Sequence, residues 1–264
     1  MAIMNHNSSV VLSALIIAKN EAKHIEACLQ SVAFCDEIIV IDDESSDDTA
    51  QLARARATVY TRPMQDNYAE QQNFAIGKAH GQWLLFIDCD ERITPELQKE
   101  IIQVVAGDKI AYRIKRINYF FARPMRYGVM KPDYTTRLLP KEGAYVQGQV
   151  HQRIYHPYTE RKLHHPMQHY SYDNWDEYYQ KFERYTRLSA SRYLIEGKSS
   201  AFILQLILKP CWAFIKTYVI DLGFMEGKLG WALAMNHAFY TYVKYLRCLL
   251  YTSDAADDLL CGDL

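Results

Sequence analysis

The first hundred residues alternate between short apolar runs and amphipathic stretches. Val10 to Ala18, "VVLSALIIA", has the length and β-branched content of a buried strand. "KNEAKHIEACLQSV" follows, with Ile25, Leu29 and Val32 at helical spacing. A second strand is predicted from Ile38 to Ile41. It breaks abruptly into "DDESSDDT", where Ser46 or Asp47 would cap the helix "DDTAQLARAR". Thr58 to Tyr60 reads as a third strand and Trp83 to Ile87 as a fourth. Strands alternating with helices predict a parallel sheet that binds ligands at the carboxyl ends of its strands. Two acid clusters, Asp42–Glu44 and Asp88–Glu91, fall at such ends.

From Ile110 to about Tyr170 the pattern is less regular, with Gly, Pro and many Tyr, Arg and His, as expected of strands and loops that complete a pocket. Helices are predicted from Tyr172, where Tyr178, Phe182, Tyr185 and Leu188 share one face. The expected organisation is an α/β domain over residues 10–170, split into 10–108 and 109–170. A helical region over 171–251 and a frayed tail over 252–264 would follow.

Composition narrows the function classes. With 264 residues, 49% of them hydrophobic, the chain has ample core material. A formal net charge of −1 gives no whole-protein attraction to nucleic acid, so no nucleic-acid partner is expected. Cys28, Cys35, Cys89, Cys211, Cys248 and Cys261 form no CxxC pair, which favours a reducing compartment. "MAIMNHNSSV" lacks a charged start followed by a long apolar run, so the expected location is cytoplasmic.

The candidate chemistry starts at "WLLFIDCDER". Asp88, Asp90 and Glu91 lie within four positions, so something positive should neutralise them: a metal, an arginine, or only water. A DxD after a buried strand suits Mg²⁺ or Mn²⁺ shared with substrate phosphates. A phosphatase with an attacking aspartate also uses a strand-terminal DxD, but near the first strand and normally followed by Thr or Val. Asp42 would accept a hydrogen bond from a nucleobase or ribose, or would simply be capped by Ser45, Ser46 or Asp47. Neither a G-x-G-x-x-G turn nor a P-loop follows the first strand, so phosphates would depend on a cation and basic side chains.

Six segments carry a family resemblance: "LIIAKNEAKHIEACLQSV", "DEIIVIDDESSDDT", "EQQNFAIGKAHGQWLLFIDCDERITPEL", "PDYTTRLLP", "VHQRI" and "HYSYDNWDEYYQKFERYT". In this order they resemble glycosyltransferase family 2, of the GT-A fold, and within it the bacterial subgroup that adds a hexose to the lipopolysaccharide inner core. The resemblance implies inverting transfer from a nucleoside diphosphate sugar, in particular a UDP-hexose. It implies that Ala18, Asn20, Glu21 and Asp42 line the nucleotide pocket, with Gln71 and Asn73 near the diphosphate or sugar. Asp88 and Asp90 would hold the metal, with Asp88 also facing the donor. His169 would reach the metal or diphosphate, or serve as a structural histidine. The subgroup usually has Val-His-Glu where this chain has Val150-His151-Gln152. Its Glu is the natural base for the acceptor hydroxyl, and a glutamine amide cannot take that proton. Either His151, Asp133 or Glu142 does this work, or activity is impaired. Transfer to a peptide or another glycan, and non-catalytic binding of nucleotide sugars or glycolipids, are the alternatives.

The acceptor half carries Lys115, Arg116, Arg123, Arg126, Lys131 and Arg137 among aromatic residues, a surface suited to phosphorylated sugars. Arg137 is the preferred acceptor-phosphate contact. "AFILQLILKPCWAFIKTYVIDLGF" has the roughly 20 residues of a membrane span. Lys209, Pro210 and Lys216 oppose an uninterrupted transmembrane helix, and Gly223, Gly227 and Gly230 would break the chain afterwards. The expectation is helices lying at the membrane interface, with Trp212, Trp231, Lys216, Lys244 and Arg247 near headgroups. This would place the chain peripherally on the cytoplasmic face of the inner membrane. A helical bundle or homo-oligomer interface is the competing view.

Overall fold

A computed structural model describes residues 10–65, 67–148, 153–195 and 204–260. The chain divides into two compact units. The first contains the chain up to Ile117 together with Asp133–Tyr170; the second contains Asn118–Pro132 and everything from Ser171.

The elements run β1 (Leu12–Ala18), α1 (Ile25–Ser31), β2 (Glu37–Asp42), α2 (Thr49–Arg54), β3 (Thr58–Thr61), α3 (Tyr68–Lys78) and β4 (Trp83–Phe86). They continue with β5 (Glu91–Ile93), α4 (Pro95–Val105), β6 (Ala111–Phe120), β7 (Arg123–Pro124), β8 (Asp133–Pro140), β9 (Tyr145–Gln147), β10 (Arg153–Tyr155), β11 (Glu160–Lys162) and β12 (Met167–Tyr172). The last helices are α5 (Trp175–Ile195), α6 (Lys209–Ile215) and α7 (Gly227–Leu260).

The main sheet has the order β3-β2-β1-β4-β8-β6-β12-β5. Strands β1 to β4 are parallel; β8 runs antiparallel to both β4 and β6. Residues alternate between two cores, as a sheet covered on both faces requires. Ile16, Val40 and Leu85 join one core, under Leu29 of α1 and Leu97 and Ile101 of α4. Leu15, Ile41 and Phe86 join the other, under Ala75 and Ile76 of α3 and Val146 of β9. The chain is therefore a mixed α/β fold with a curled, mostly parallel first half, as expected.

Helix α2 starts differently from the expectation. Its N-cap is Asp48, whose side chain makes no capping bond; the Asp47 carboxylate instead accepts from the Thr49 N–H at 3.0 Å and from its hydroxyl.

In the second unit, Phe120, Met125, Met130, Tyr178 and Leu233 form a small core edged by Trp175 and Phe182. Tyr185 and Leu188 are exposed, so the buried face of α5 is shorter than predicted. Gly128 and Gly223 approach closely. A Cβ on Gly128 would lie 3.1 Å from the Cα of Gly223, and Gly128 itself has φ +70°. The expected break at the glycines holds at Gly223, which opens a 3₁₀ turn, but Gly227 and Gly230 lie within α7. Helix α7 also extends to Leu260, so residues 252–260 are helical rather than frayed; Ala255 and Ala256 are strong helix formers. No helix among the described residues is long and apolar enough to cross a membrane.

Candidate active site

The ends of β1 and β2 are tied together first by backbone. Ala18 pairs with Asp42 in register, and the Asp43 N–H donates to the Ala18 carbonyl at 2.8 Å. The chain then turns through Asn20, which has φ +54°, a left-handed conformation that asparagine tolerates. Asn20 Oδ1 accepts from the Ser46 N–H at 2.8 Å, and the Asn20 N–H donates to Ser45 Oγ. The Glu21 N–H donates to Thr49 Oγ1 at 2.7 Å. Ala18, Asn20, Glu21 and Asp42 are thus brought together at one edge of the sheet. Asp42 Oδ2 accepts from the Ser45 N–H at 3.2 Å, so the capping interaction exists. The other carboxylate oxygen, Oδ1, is buried with no hydrogen-bond partner. Buried carboxylate oxygens are normally satisfied, so Oδ1 is an acceptor in want of a donor.

At the end of β4 the acids meet an arginine. Arg137, buried on β8, donates through Nη2 to Asp88 and, at 2.6 Å, to Glu91. Glu91 is fully buried and also takes Arg116 at 3.4 Å, while its Oε2 accepts the Asp88 N–H at 3.0 Å. Burial pushes the Glu91 carboxyl up against the pull of Arg137. Burial also works against the Arg137 charge, but Asp88 and Glu91 outweigh it and hold the guanidinium protonated. Tyr68 donates to Asp88 Oδ1 at 3.2 Å, and burial with the adjacent carboxylate pushes its phenol well up, so the donor proton stays. Arg137, expected at an acceptor phosphate, is here the internal partner of the acid turn.

Asp90 faces elsewhere. His169, paired opposite Glu91 across β5 and β12, brings Nε2 to 3.3 Å from Asp90 Oδ2. Among the described residues no cluster of three or more His, Cys, Asp or Glu forms a ready ion cage. Asp90 and His169 still suit a divalent ion that takes its other ligands from phosphate oxygens and water, because one or two protein ligands are normal for such ions. The nearby thiols do not compete. Burial pushes Cys28 and Cys89 well up, keeping both as neutral thiols.

Helix α3 contributes structure as well as site. Gln71 is fully buried and bridges Arg62, accepting from its guanidinium at 2.6 Å and donating to its carbonyl at 2.5 Å. Asn73 uses both ends of its amide on Val146, at 2.8 Å each way. Neither side chain meets Asp88 in this arrangement. Gln72, between them, has its buried Oε1 without a partner and lines the cleft beside Asp88.

That cleft encloses about 720 Å³. Asp88, Tyr68 and Gln72 stand on its wall together with Arg113, Tyr134 and Arg153. His151 and Gln152 lie outside the described residues. Asp133 is held by Arg116 at 2.7 Å; burial raises its carboxyl, but Arg116 outweighs this and draws it below the usual range. Glu142 is an exposed partner of Lys109 at 3.0 Å. Tyr68, Gln72, Arg113, Tyr134 and Arg153 were not legible as site residues. Each is an ordinary polar or aromatic residue until the sheet order places it beside Asp88.

Comparison with known proteins gives the same family as the motifs. An uncharacterized glycosyltransferase of Rickettsia bellii is 29% identical over 88% of this chain and 84% of its own. The lipopolysaccharide core biosynthesis glycosyltransferase LpsC of Rhizobium meliloti is 28% identical over 94% of this chain and 97% of its own. Among solved structures, S. aureus TarS 1-349 in complex with UDP aligns with a TM-score of 0.46 at 14% identity, covering 92% of each chain. The family model described as "Glycosyl transferase family 2" matches residues 13–186. The chain is a glycosyltransferase and belongs to glycosyl transferase family 2.

Proposed function

We propose that this transferase moves a hexose from a UDP-sugar, with inversion, to an acceptor in the lipopolysaccharide core. The observation that carries the donor half is the unpartnered Asp42 Oδ1 at the carboxyl edge of β2, an acceptor that a nucleobase N–H or ribose hydroxyl would satisfy. The acceptor class rests on the likeness to LpsC, which extends along nearly the whole of both chains.

In the proposed reaction the acceptor oxygen attacks the anomeric carbon from the face opposite the diphosphate. The new C–O bond forms as the bond to the UDP β-phosphate oxygen breaks, and the acceptor proton passes to a base. Asp133, drawn down by Arg116, is a poor base; His151 takes that role, with Gln152 orienting the hydroxyl. Asp88, held by Arg137 and Tyr68, is a fixed acceptor for donor-sugar hydroxyls. Asp90 and His169 would hold a divalent cation, Mg²⁺ or Mn²⁺, which would supply charge stabilisation for the leaving diphosphate.

The chain would work peripherally on the cytoplasmic face of the inner membrane. Supporting this, Leu204, Leu208, Trp212, Ile215 and Val219 are exposed at three- to four-residue spacing, and Trp231 and Phe239 are exposed on α7. Two acids of that region are engaged internally, Asp221 by Lys131 at 2.6 Å and Glu226 by Arg123 at 2.8 Å. Such a surface suits the headgroup–acyl boundary.

The test is UDP release from UDP-glucose with lipopolysaccharide core acceptor, with and without Mn²⁺ or Mg²⁺. Acceptor- and metal-dependent release is expected. UDP binding without release under every metal condition would overturn the reading.

A further inference from the structure

The acceptor half is rich in basic residues, but most of those named by the sequence pattern are consumed inside the protein. Arg116 is held by Asp133 and Glu91, and Arg137 by Asp88 and Glu91. Arg123 is spent on Glu226 and Lys131 on Asp221. None of these is available to recognise an anionic substrate without breaking an existing pair.

Two other arginines line the cleft beside Asp88: Arg113 on β6 and Arg153 on β10. Neither enters an ion pair among the described residues. Arg113 anchors one Nη2–H on the Tyr134 carbonyl at 2.8 Å, which fixes the guanidinium; its charge also helps draw the Glu160 carboxyl down, while among the described residues its other N–H groups donate no hydrogen bond. Arg153 lies over the Tyr155 ring at 5.7 Å, and Tyr155 stacks on Tyr145 with centroids 5.1 Å apart. The cleft therefore combines two guanidinium groups with Tyr134 and Tyr155, rings that are themselves packed under cations, Lys162 at 4.4 Å from Tyr134 and Arg153 over Tyr155. Guanidinium forks match phosphate and carboxylate oxygens. The cleft's other acid, Glu160, is already engaged by the Thr136 hydroxyl at 2.7 Å and by His156 at 3.3 Å.

We infer that this end of the cleft is a subsite for an anionic saccharide, with Arg113 and Arg153 binding a phosphate or carboxylate on the acceptor. The inference rests on the reading of this cleft as the acceptor side of the transferase. The same anion chemistry is present in the donor's diphosphate, so the test must separate the two sources.

Binding of mannose 6-phosphate and of mannose to the full chain, each in the presence of saturating UDP, separates them by calorimetry without requiring turnover. Mannose 6-phosphate is expected to bind at least about tenfold more tightly than mannose, as a guanidinium–phosphate hydrogen bond warrants. Arg153→Gln and Arg113→Gln should each remove most of that preference while leaving the Kd for UDP within about twofold; Arg153→Lys should restore part of it. Arg153 sits at an exposed position, so its variant is the one expected to fold without difficulty. Equal binding of the two sugars would overturn the inference. So would variants that weaken UDP instead, which would assign the arginines to the donor. Absence of UDP release in the transfer assay, with the mannose 6-phosphate preference intact, would count against the transfer reading alone.

Discussion

Arg137 Nη2 reaches Glu91 at 2.6 Å inside the first unit, and the same nitrogen holds Asp88 at the mouth of the cleft. The positive charge that the crowded acids demanded is, first of all, an arginine of the chain itself. Removing one partner of such a buried pair leaves an uncompensated charge, typically at a cost of about 3–5 kcal/mol. Arg137→Met should therefore destabilise the protein by about that amount in urea unfolding, and Arg137→Lys by less. A change under about 1 kcal/mol would show that the pair is not structural.

Asp42→Asn tests the orphan oxygen. The substitution keeps the shape but exchanges a carboxyl group for an amide, which offers one acceptor oxygen instead of two. It should raise the Kd for UDP about ten- to a hundredfold, the range of a charged hydrogen bond, with thermal stability nearly unchanged. Calorimetric titration with UDP measures it, and an unaltered Kd would remove Asp42 from the nucleotide pocket.

Gln152→Glu supplies the carboxylate that the subgroup usually has. A positioned base contributes about 10²–10⁴ in rate, so turnover should rise by about 10² with the UDP-sugar KM little changed. Steady-state kinetics against acceptor decides this. Unchanged turnover with donor affinity intact would show that position 152 does not accept the proton.

Glu100 gives the acid limb of stability a named contributor. Burial raises its carboxyl, but the backbone N–H groups of His164 and His165 and the His165 ring lower it further, for a net downward shift. A carboxylate whose folded value lies below its ordinary 4.5 binds protons more weakly folded than unfolded. Its contribution is present above pH 4.5 and lost as pH falls through the folded value. Glu100→Gln should flatten the decline in thermal midpoint below that pH, and an identical pH profile would exclude this role.

Trp212→Ser combined with Trp231→Ser tests the exposed apolar face. Each indole offers an aromatic surface that an interface would cover, so partitioning onto anionic vesicles should weaken by about tenfold or more. Vesicle flotation provides the measurement. If wild type stays off vesicles and sediments as a dimer that the double variant dissolves, the face belongs to a second copy.

The parallel half of the fold was legible because its strands announce themselves locally, in apolar runs ending in acids. The second half was not. Strands β9, β10 and β11 have three residues each, too short for a period to emerge. The places of Asp42, Asp88 and Asp90, at or just past strand ends, were legible for the same reason as the strands they follow. The acid-turn partners came from far along the chain, Arg137 standing 46 positions after Glu91. Nothing in the spacing of "DYTTRLL" says that its arginine points inward. The basic residues misled for a related reason: a sequence displays every cation, whereas folding decides which ones are already taken.

Asn73 carries a consequence of a mechanical kind. By spending both ends of one amide on the Val146 backbone, it makes α3 and the β9 strand a single lever. The helix that carries Tyr68 to Asp88 is thereby coupled to the chain that leads on toward His151 and Gln152. A substitution at position 73 would then be felt both in the helix beside Asp88 and along the strand leading toward position 152, the two ends that the proposed transfer would use. These two ends of the chemistry would have to be tuned together, not one at a time.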